Sequence, residues 1–362
     1  MTLAAWLHNL GPFAFKVTQD FGLRWYGLSY AMGFVAGWML LRFLCKRGAC
    51  LIPLDRIGDA VLLAVMGVVV GGRLGYVIFY EPSLITHFDG SSPPWWGVLM
   101  INHGGMASHG GMIGVIISAF FIGRGFKTPT GTRVGKAPIL HILDTLAMIA
   151  CAGLGLGRLA NFINGELLGK IVAPPGQPAP WWAVRFPQEL QSTFMKPDGT
   201  GGHRPELTPE QFRALDAVME PFRIPGRSID DAFPRVIEKI QSGDHALARA
   251  IEPFISARHP SQLYQAFTDG IIVFAFTWFI ARKPRLPGVV GCWFLISYGI
   301  LRIITEFYRL PDAQLANQRI MGFSRGQWLS VAMVAVGFIA LPIIIKRGGK
   351  KLGGWWSITA AP

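Results

Sequence analysis

The 362-residue chain is 51% hydrophobic and only 15% charged, with a mean hydropathy of +0.38. Soluble domains carry about 25% charged residues, so this composition excludes an ordinary water-soluble globular protein. The formal charge is +13, but the basic residues sit at the edges of apolar runs and form no separate patch, which excludes a nucleic-acid-binding protein.

In chain order, residues 1–23 form a short outer segment. They have no basic n-region and no clear cleavage site, so no removable signal peptide is expected. Seven apolar stretches follow, at about 26–45, 57–80, 107–123, 139–160, 263–281, 287–304 and 327–345. Each is long enough to cross a hydrocarbon core of about 30 Å as a helix. Only helices close their backbone hydrogen bonds within one segment. The expected fold is therefore all-α: a polytopic membrane protein with about seven transmembrane helices and a small polar head on the outer face. Three parts are expected: residues 1–169 with spans one to four, a head insertion at 170–258, and residues 259–362 with spans five to seven and a basic tail.

Charge placement sets the expected orientation. The insertion holds 11 basic and 11 acidic residues and is neutral. Basic clusters follow span one (Arg42, Lys46, Arg47, Arg56), span three (Arg124, Lys127, Arg133, Lys136), span five (Arg282, Lys283, Arg285) and span seven (Lys346, Arg347, Lys350, Lys351). The loop between spans two and three has no Lys or Arg. Basic loops face the cytoplasm, which puts the N-terminus and the head outside and the C-terminus inside.

Several polar groups lie where lipid should be. A charged side chain at mid-membrane costs about 2.5–3.5 kcal/mol on insertion scales, so it usually faces a cavity or a partner. In span two, Arg73, Tyr76 and Tyr80 share one face, beside Gly71, Gly72 and Gly75. The glycines suit close helix packing, and Arg73 reads either as a site residue or as a side chain snorkelling to the interface. Next, His109 stands between glycine pairs in "HGGMASHGGMIGV" (103–115) and is a candidate functional group; His103 reads as a spectator. At the end of span four, "GRLANFINGELLG" (157–169) clusters Arg158, Asn161, Asn164 and Glu166. In the insertion, "TPEQFRALDAVME" reads as a helix start with Thr208 as N-cap, Pro209 at the first helical position and Gln211 closing a capping box. "RVIEKI" and "HALARAIEPF" suggest further short amphipathic helices. At the exit of span six, Tyr298, Arg302, Glu306 and Arg309 line one helix face, with Arg302 and Glu306 spaced to pair.

The cysteines, Cys45, Cys50, Cys151 and Cys292, have no CxxC spacing and read as apolar fillers, without a disulfide framework or zinc site. The arginines suit a phosphate, because a guanidinium is always charged and its fork matches two phosphate oxygens. Residue chemistry thus points to a phosphate-binding cavity near the outer leaflet. A phospholipid or organophosphate transporter would use the same arginines. It would also need a repeat and a charged path to the cytoplasmic face, and neither is evident.

The same residues resemble a known family. "GRLANFINGELLG" looks like the signature of the phosphatidylglycerol–prolipoprotein diacylglyceryl transferases. "LRWYGL" (23–28), "GGRLGYVIFY" (71–80), "HGGMIG" (109–114), "HPSQLYQA" (259–266) and "YGILRIITEFYRLPDAQ" (298–314) match further blocks in the family order. The resemblance implies an enzyme of the bacterial cytoplasmic (inner) membrane, with no metal or cofactor. It would move the diacylglyceryl group of phosphatidylglycerol onto the lipobox cysteine of a prolipoprotein peptide, forming a thioether and releasing glycerol 1-phosphate. It also implies catalytic roles for His109, Arg158 and Arg302. Tyr26, Asn161, Glu166, Gly169, Tyr298 and Glu306 match substrate-binding positions. Two departures stand out: the insertion is longer than expected, and Ser108 adjoins the histidine where the family commonly has a serine two places before it.

Overall fold

The computed structural model describes residues 5–16, 22–90, 93–100, 104–192, 204–310 and 321–356. His103 and residues 311–314 of the last family block lie outside them. The helices are α1 (Trp25–Lys46), α2 (Ile57–Phe79), α3 (Ser108–Gly123), α4 (Ile139–Asn164), α5 (Pro209–Met219), α6 (Phe233–Gln241), α7 (His245–Ile251), α8 (Ser261–Phe267), α9 (Val273–Ala281), α10 (Val289–Glu306) and α11 (Arg325–Arg347). Six helical segments are long and apolar enough to cross a membrane, and α3 is a shorter apolar helix. This matches the expected count of about seven. At 16 residues, α3 spans only about 24 Å at 1.5 Å per residue, less than a full hydrocarbon core. Large apolar side chains such as Leu62, Met66, Ile113, Val336 and Ile339 are more than half exposed, as lipid contact requires and water would penalise.

The chain divides into two compact units. One comprises residues 1–33, 151–273 and 295–336. It contains a four-stranded sheet that hydropathy alone did not reveal, because its strands are only two or three residues long. The strand order is Trp6–Leu7, Val184–Arg185, Ala257–Arg258, Ile171–Ala173; the first pair is parallel and the others antiparallel. The polar insertion has its own apolar core, including Leu215, Met219, Phe233, Val236, Ile240 and Ile251. Its helices start as their sequences dictate. Thr208 accepts from the Gln211 amide at 3.2 Å while the Gln211 side chain accepts from the Thr208 amide at 3.0 Å. Such a cap contributes about 1 kcal/mol. On α6, Phe233, Val236, Ile237 and Ile240 form one buried stripe. From the strand Ala257–Arg258, Arg258 Nε donates to Glu189 Oε2 at 2.6 Å, with both side chains fully buried. The Ser256 amide and hydroxyl satisfy the other carboxylate oxygen at 3.2 and 2.9 Å. Breaking such a pair by removing one partner costs about 3–5 kcal/mol.

The other unit comprises residues 34–150, 274–294 and 337–362. Its main packing device is glycine. A side chain at Gly110 or Gly114 of α3 would collide with the Gly71 or Gly67 carbonyl of α2, so the two backbones touch directly. The Ser118 hydroxyl donates to the Leu63 carbonyl at 2.7 Å across the same seam. Arg73 neither snorkels nor opens to a ligand. It is buried, and its guanidinium donates to the carbonyls of Gly97 (2.6 Å), Val98 (2.8 Å), Met100 (3.2 Å), Gly104 (2.6 Å) and Gly105 (3.0 Å). It therefore holds the loop that leads into α3. In the same unit, Asp144 of α4 accepts from the Gly288 and Gly291 amides at 2.7 and 2.6 Å, satisfying donors at the start of α10. None of the four cysteines forms a disulfide, and all are buried.

Candidate active site

Within the first unit, the polar end of α4 turns sharply into a loop. Gly165 takes φ 66° and Leu167 takes φ 55°, the latter unusual for a branched side chain. Neighbouring groups hold the turn: Gln262 Nε2 donates to the Glu166 carbonyl at 2.5 Å, and the Ser261 hydroxyl to the Leu167 carbonyl at 3.2 Å. Beyond it, the Lys170 amide donates to Tyr308 at 2.9 Å and the Leu310 amide to Leu168 at 3.0 Å. Arg258 Nη1 also donates to the Gly169 carbonyl at 3.1 Å, so the buried Arg258–Glu189 pair anchors this loop. A Cβ at Gly169 would run into the His259 carbonyl, so only glycine admits this approach. The "GELLG" half of the signature thus joins the end of α4 to the exit of α10 and the entry of α8.

This join gathers the arginines. Arg302 Nη2 lies 3.1 Å and Arg309 Nη1 3.5 Å from Glu306 Oε2, as ion pairs along one face of α10. Arg158 of α4 lies within Coulomb reach of Arg302, Arg309, Tyr298 and Asp269. Asp269 is fully buried, with Oδ2 at 3.9 Å from Arg158 Nε. Among the described residues, three guanidiniums therefore face two carboxylates, an excess of one formal positive charge. Arg302 Nη1 is buried and has no hydrogen-bond partner among the described residues. An unsatisfied buried donor costs about 1–3 kcal/mol, more when charged, so it favours an incoming acceptor. Tyr298 sits against Arg158 and within reach of Arg302 and Asp269. A small cavity lined by Lys170, Glu306, Arg309, Ser324 and Gln327 adjoins the pair.

A second cluster lies in the same unit. The Tyr26 hydroxyl of α1 approaches both Asn161 Oδ1, very closely, and Glu166 Oε2 at 2.7 Å. A phenol has one proton and cannot donate twice. The consistent arrangement turns the Asn161 amide over, so that it donates to Tyr26, which donates to Glu166. Asn164 Nδ2 reaches the other oxygen of Glu166 at 3.5 Å. Asn161 is buried while Glu166 is exposed, so the chain of bonds runs from the helix interior to the surface. Nearby, the His259 ring packs against Trp182, Tyr264 and Tyr308 at centroid distances of 5.2, 6.0 and 5.1 Å. Burial, then the Lys170 charge, lowers the His259 imidazole pKa.

Of the residues singled out in the sequence, Tyr26, Arg158, Asn161, Glu166, Gly169, Tyr298, Arg302 and Glu306 all belong to this unit. His109 belongs to the other, in the first turn of α3, where it is exposed. Sequence reasoning passed over Asp269, Gln262 and the Arg258–Glu189 pair. Asp269 carried a usable signal, being an acid inside the apolar run 263–281. Gln262 lies within the "HPSQLYQA" block, which marks the stretch without giving that side chain a role; the buried pair carried no signal, since its importance lies in contacts distant along the chain.

Comparison with known proteins gives the family of the chain. The family model described as prolipoprotein diacylglyceryl transferase matches residues 12–343. A phosphatidylglycerol–prolipoprotein diacylglyceryl transferase of Bdellovibrio bacteriovorus is 39% identical, over 96% of this chain and 97% of that protein. Proteins of the same name are 33% identical in Chromobacterium violaceum and 32% identical in Neisseria meningitidis, each over 95% of this chain and 96% of the relative. With a match of this length and a signature whose residues meet in one unit, the chain belongs to the prolipoprotein diacylglyceryl transferase family.

Proposed function

We propose that this chain transfers the diacylglyceryl group of phosphatidylglycerol to the lipobox cysteine of a prolipoprotein. In this reaction the thiol loses its proton, a carbon–sulfur bond forms, and the bond between the glyceryl carbon and a phosphate oxygen breaks. Glycerol 1-phosphate leaves with one more negative charge than the phosphodiester carried. The protein must therefore supply positive charge where that second charge develops. The observation that carries the reading is the proximity of two like charges, Arg158 and Arg302, the latter with its Nη1 buried and without a hydrogen-bond partner among the described residues. The net positive charge of the cluster complements a phosphodiester monoanion, and the guanidinium fork matches its two free oxygens.

A free thiol has a pKa of about 8.5 and is mostly protonated at neutral pH. His109 is the candidate acceptor of its proton, on the strength of its match to the "HGGMIG" block. Tyr26, Asn161 and Glu166 would bind and orient the glycerol headgroup, whose hydroxyls suit an amide–phenol–carboxylate chain. Gly169, Tyr298 and Glu306 would hold the arginines and their loop in place.

The reading places the protein in the bacterial cytoplasmic membrane, N-terminus outward and C-terminus cytoplasmic. Charge placement supports this orientation. Residues 170–258 would form the outer head between membrane parts 1–169 and 259–362, supported by the insertion's neutrality and its own apolar core. Purified protein with phosphatidylglycerol and a lipobox peptide should give a peptide heavier by one diacylglyceryl group, while a Cys→Ser peptide stays unmodified. An unchanged Cys peptide with folded protein would refute the proposal.

A further inference from the structure

Asp269 is the only carboxylate among the described residues of the span Ser261–Ala281, and it is fully buried. Such a group is expensive in a membrane span and calls for a partner. The backbone there is also irregular. Residues Thr268–Ile272 form a π-helical turn between α8 and α9, which inserts extra chain and redirects the side chains around it. Gly270 packs against Gly155 of α4 so closely that a Cβ on Gly155 would lie 2.9 Å from the Gly270 Cα. Gly155 is one helical turn before Arg158, so this contact carries Asp269 to the arginine. The Asp269 carboxylate is oriented from its own element: the Thr268 hydroxyl donates to Oδ1 at 3.2 Å. Oδ2 accepts no hydrogen bond among the described residues and faces Arg158 Nε at 3.9 Å.

We propose that Asp269 is the positioning residue of Arg158: its carboxylate, 3.9 Å from Nε, restrains that edge and aims the rest of the guanidinium, which also meets Tyr298, at the phosphate. It also offsets the repulsion between Arg158 and Arg302, which would otherwise push the two guanidiniums apart. Asp269 touches no reacting atom in this scheme and acts through Arg158. This inference rests on the transferase reading, and wild-type thioether formation in the same assay tests that reading separately.

The test is a double-mutant cycle on the full-length purified protein, with kcat and KM for phosphatidylglycerol measured alongside a thermal melt. Asp269→Asn should lower kcat by about 10–100-fold, the scale of a small displacement of a catalytic group, with KM changed far less. Asp269→Glu should recover part of the loss. In an Arg158→Lys background, Asp269→Asn should cost almost nothing more, because the geometry it protects is already gone. If Asp269→Asn does not melt as one transition, Asp269→Glu carries the same cycle, with a lower kcat alone and no added loss on Arg158→Lys. A folded Asp269 variant with wild-type kcat, or a loss that multiplies in full with Arg158→Lys, would overturn the proposal while wild-type activity left the transferase reading standing.

Discussion

Arg302 Nη2 lies 3.1 Å from Glu306 Oε2, one helical turn along α10, with both side chains about nine-tenths buried. The same oxygen faces Arg309 Nη1 at 3.5 Å, so one carboxylate restrains two guanidiniums. Glu306→Gln keeps the shape and removes the charge. It should destabilise the protein by up to about 3 kcal/mol, the lower end for breaking a buried pair. Turnover should fall further than stability explains, because Arg302 loses its aim. Thermal melts and transferase rates on the same samples check both parts.

Tyr26→Phe removes one oxygen and leaves the ring in place. It breaks the chain from Asn161 to Glu166 and leaves the buried Asn161 amide short of a partner. The expected cost is about 1–3 kcal/mol, seen as a lowered melting temperature and a raised KM for phosphatidylglycerol. A Tyr26→Phe protein with unchanged KM would remove this cluster from headgroup binding.

His8 gives a pH prediction outside the membrane spans. It is fully buried against Phe162 and Phe186, and burial lowers its imidazole pKa to about 4. The folded protein therefore binds this proton less readily than the unfolded chain, whose histidine titrates near 6.5. Its contribution is fully present above pH 6.5 and is lost as pH falls toward 4, by at most about 3 kcal/mol. Melts of wild type between pH 7.5 and 4.5 should show this decline. His8→Phe should flatten it, and an unchanged slope in that variant would contradict the assignment.

The glycine seam between α2 and α3 is equally exposed to test. A side chain at Gly110 would meet the Gly71 carbonyl, which is backbone and cannot swing away. Gly110→Val should therefore force the helices apart and cost about 3 kcal/mol or more, as overpacking of a tight contact does at its upper end. The neighbouring Gly111 has more room, its Cβ meeting the Val68 carbonyl at 3.6 Å, so Gly111→Ala should be much milder. Cooperative melting in detergent separates the two.

The membrane helices were legible because length and apolarity alone define a span. The head's helix starts were legible because a capping box is local, as Thr208 and Gln211 show. Arg302 and Glu306 could be paired from their spacing alone. The meeting of Arg158 with Asp269 could not, since it depends on Gly155 and Gly270 touching across more than a hundred residues. The sheet stayed hidden because strands of two or three residues have no periodicity to read. Arg73 shows the opposite failure: its sequence setting resembles that of a site arginine, yet loop carbonyls take up its donors.

The central claim is that Arg158 and Arg302 act together on one phosphate. It is tested most directly by transferase rates of wild type, Arg158→Lys, Arg302→Lys and the double variant, all shown to be folded. Lysine keeps the charge and loses the fork. Each single variant should lose about 10²–10³ in kcat, and the double variant little more than either, as for residues that work as a unit. Near-wild-type rates in both single variants, or losses that multiply in full, would contradict the account.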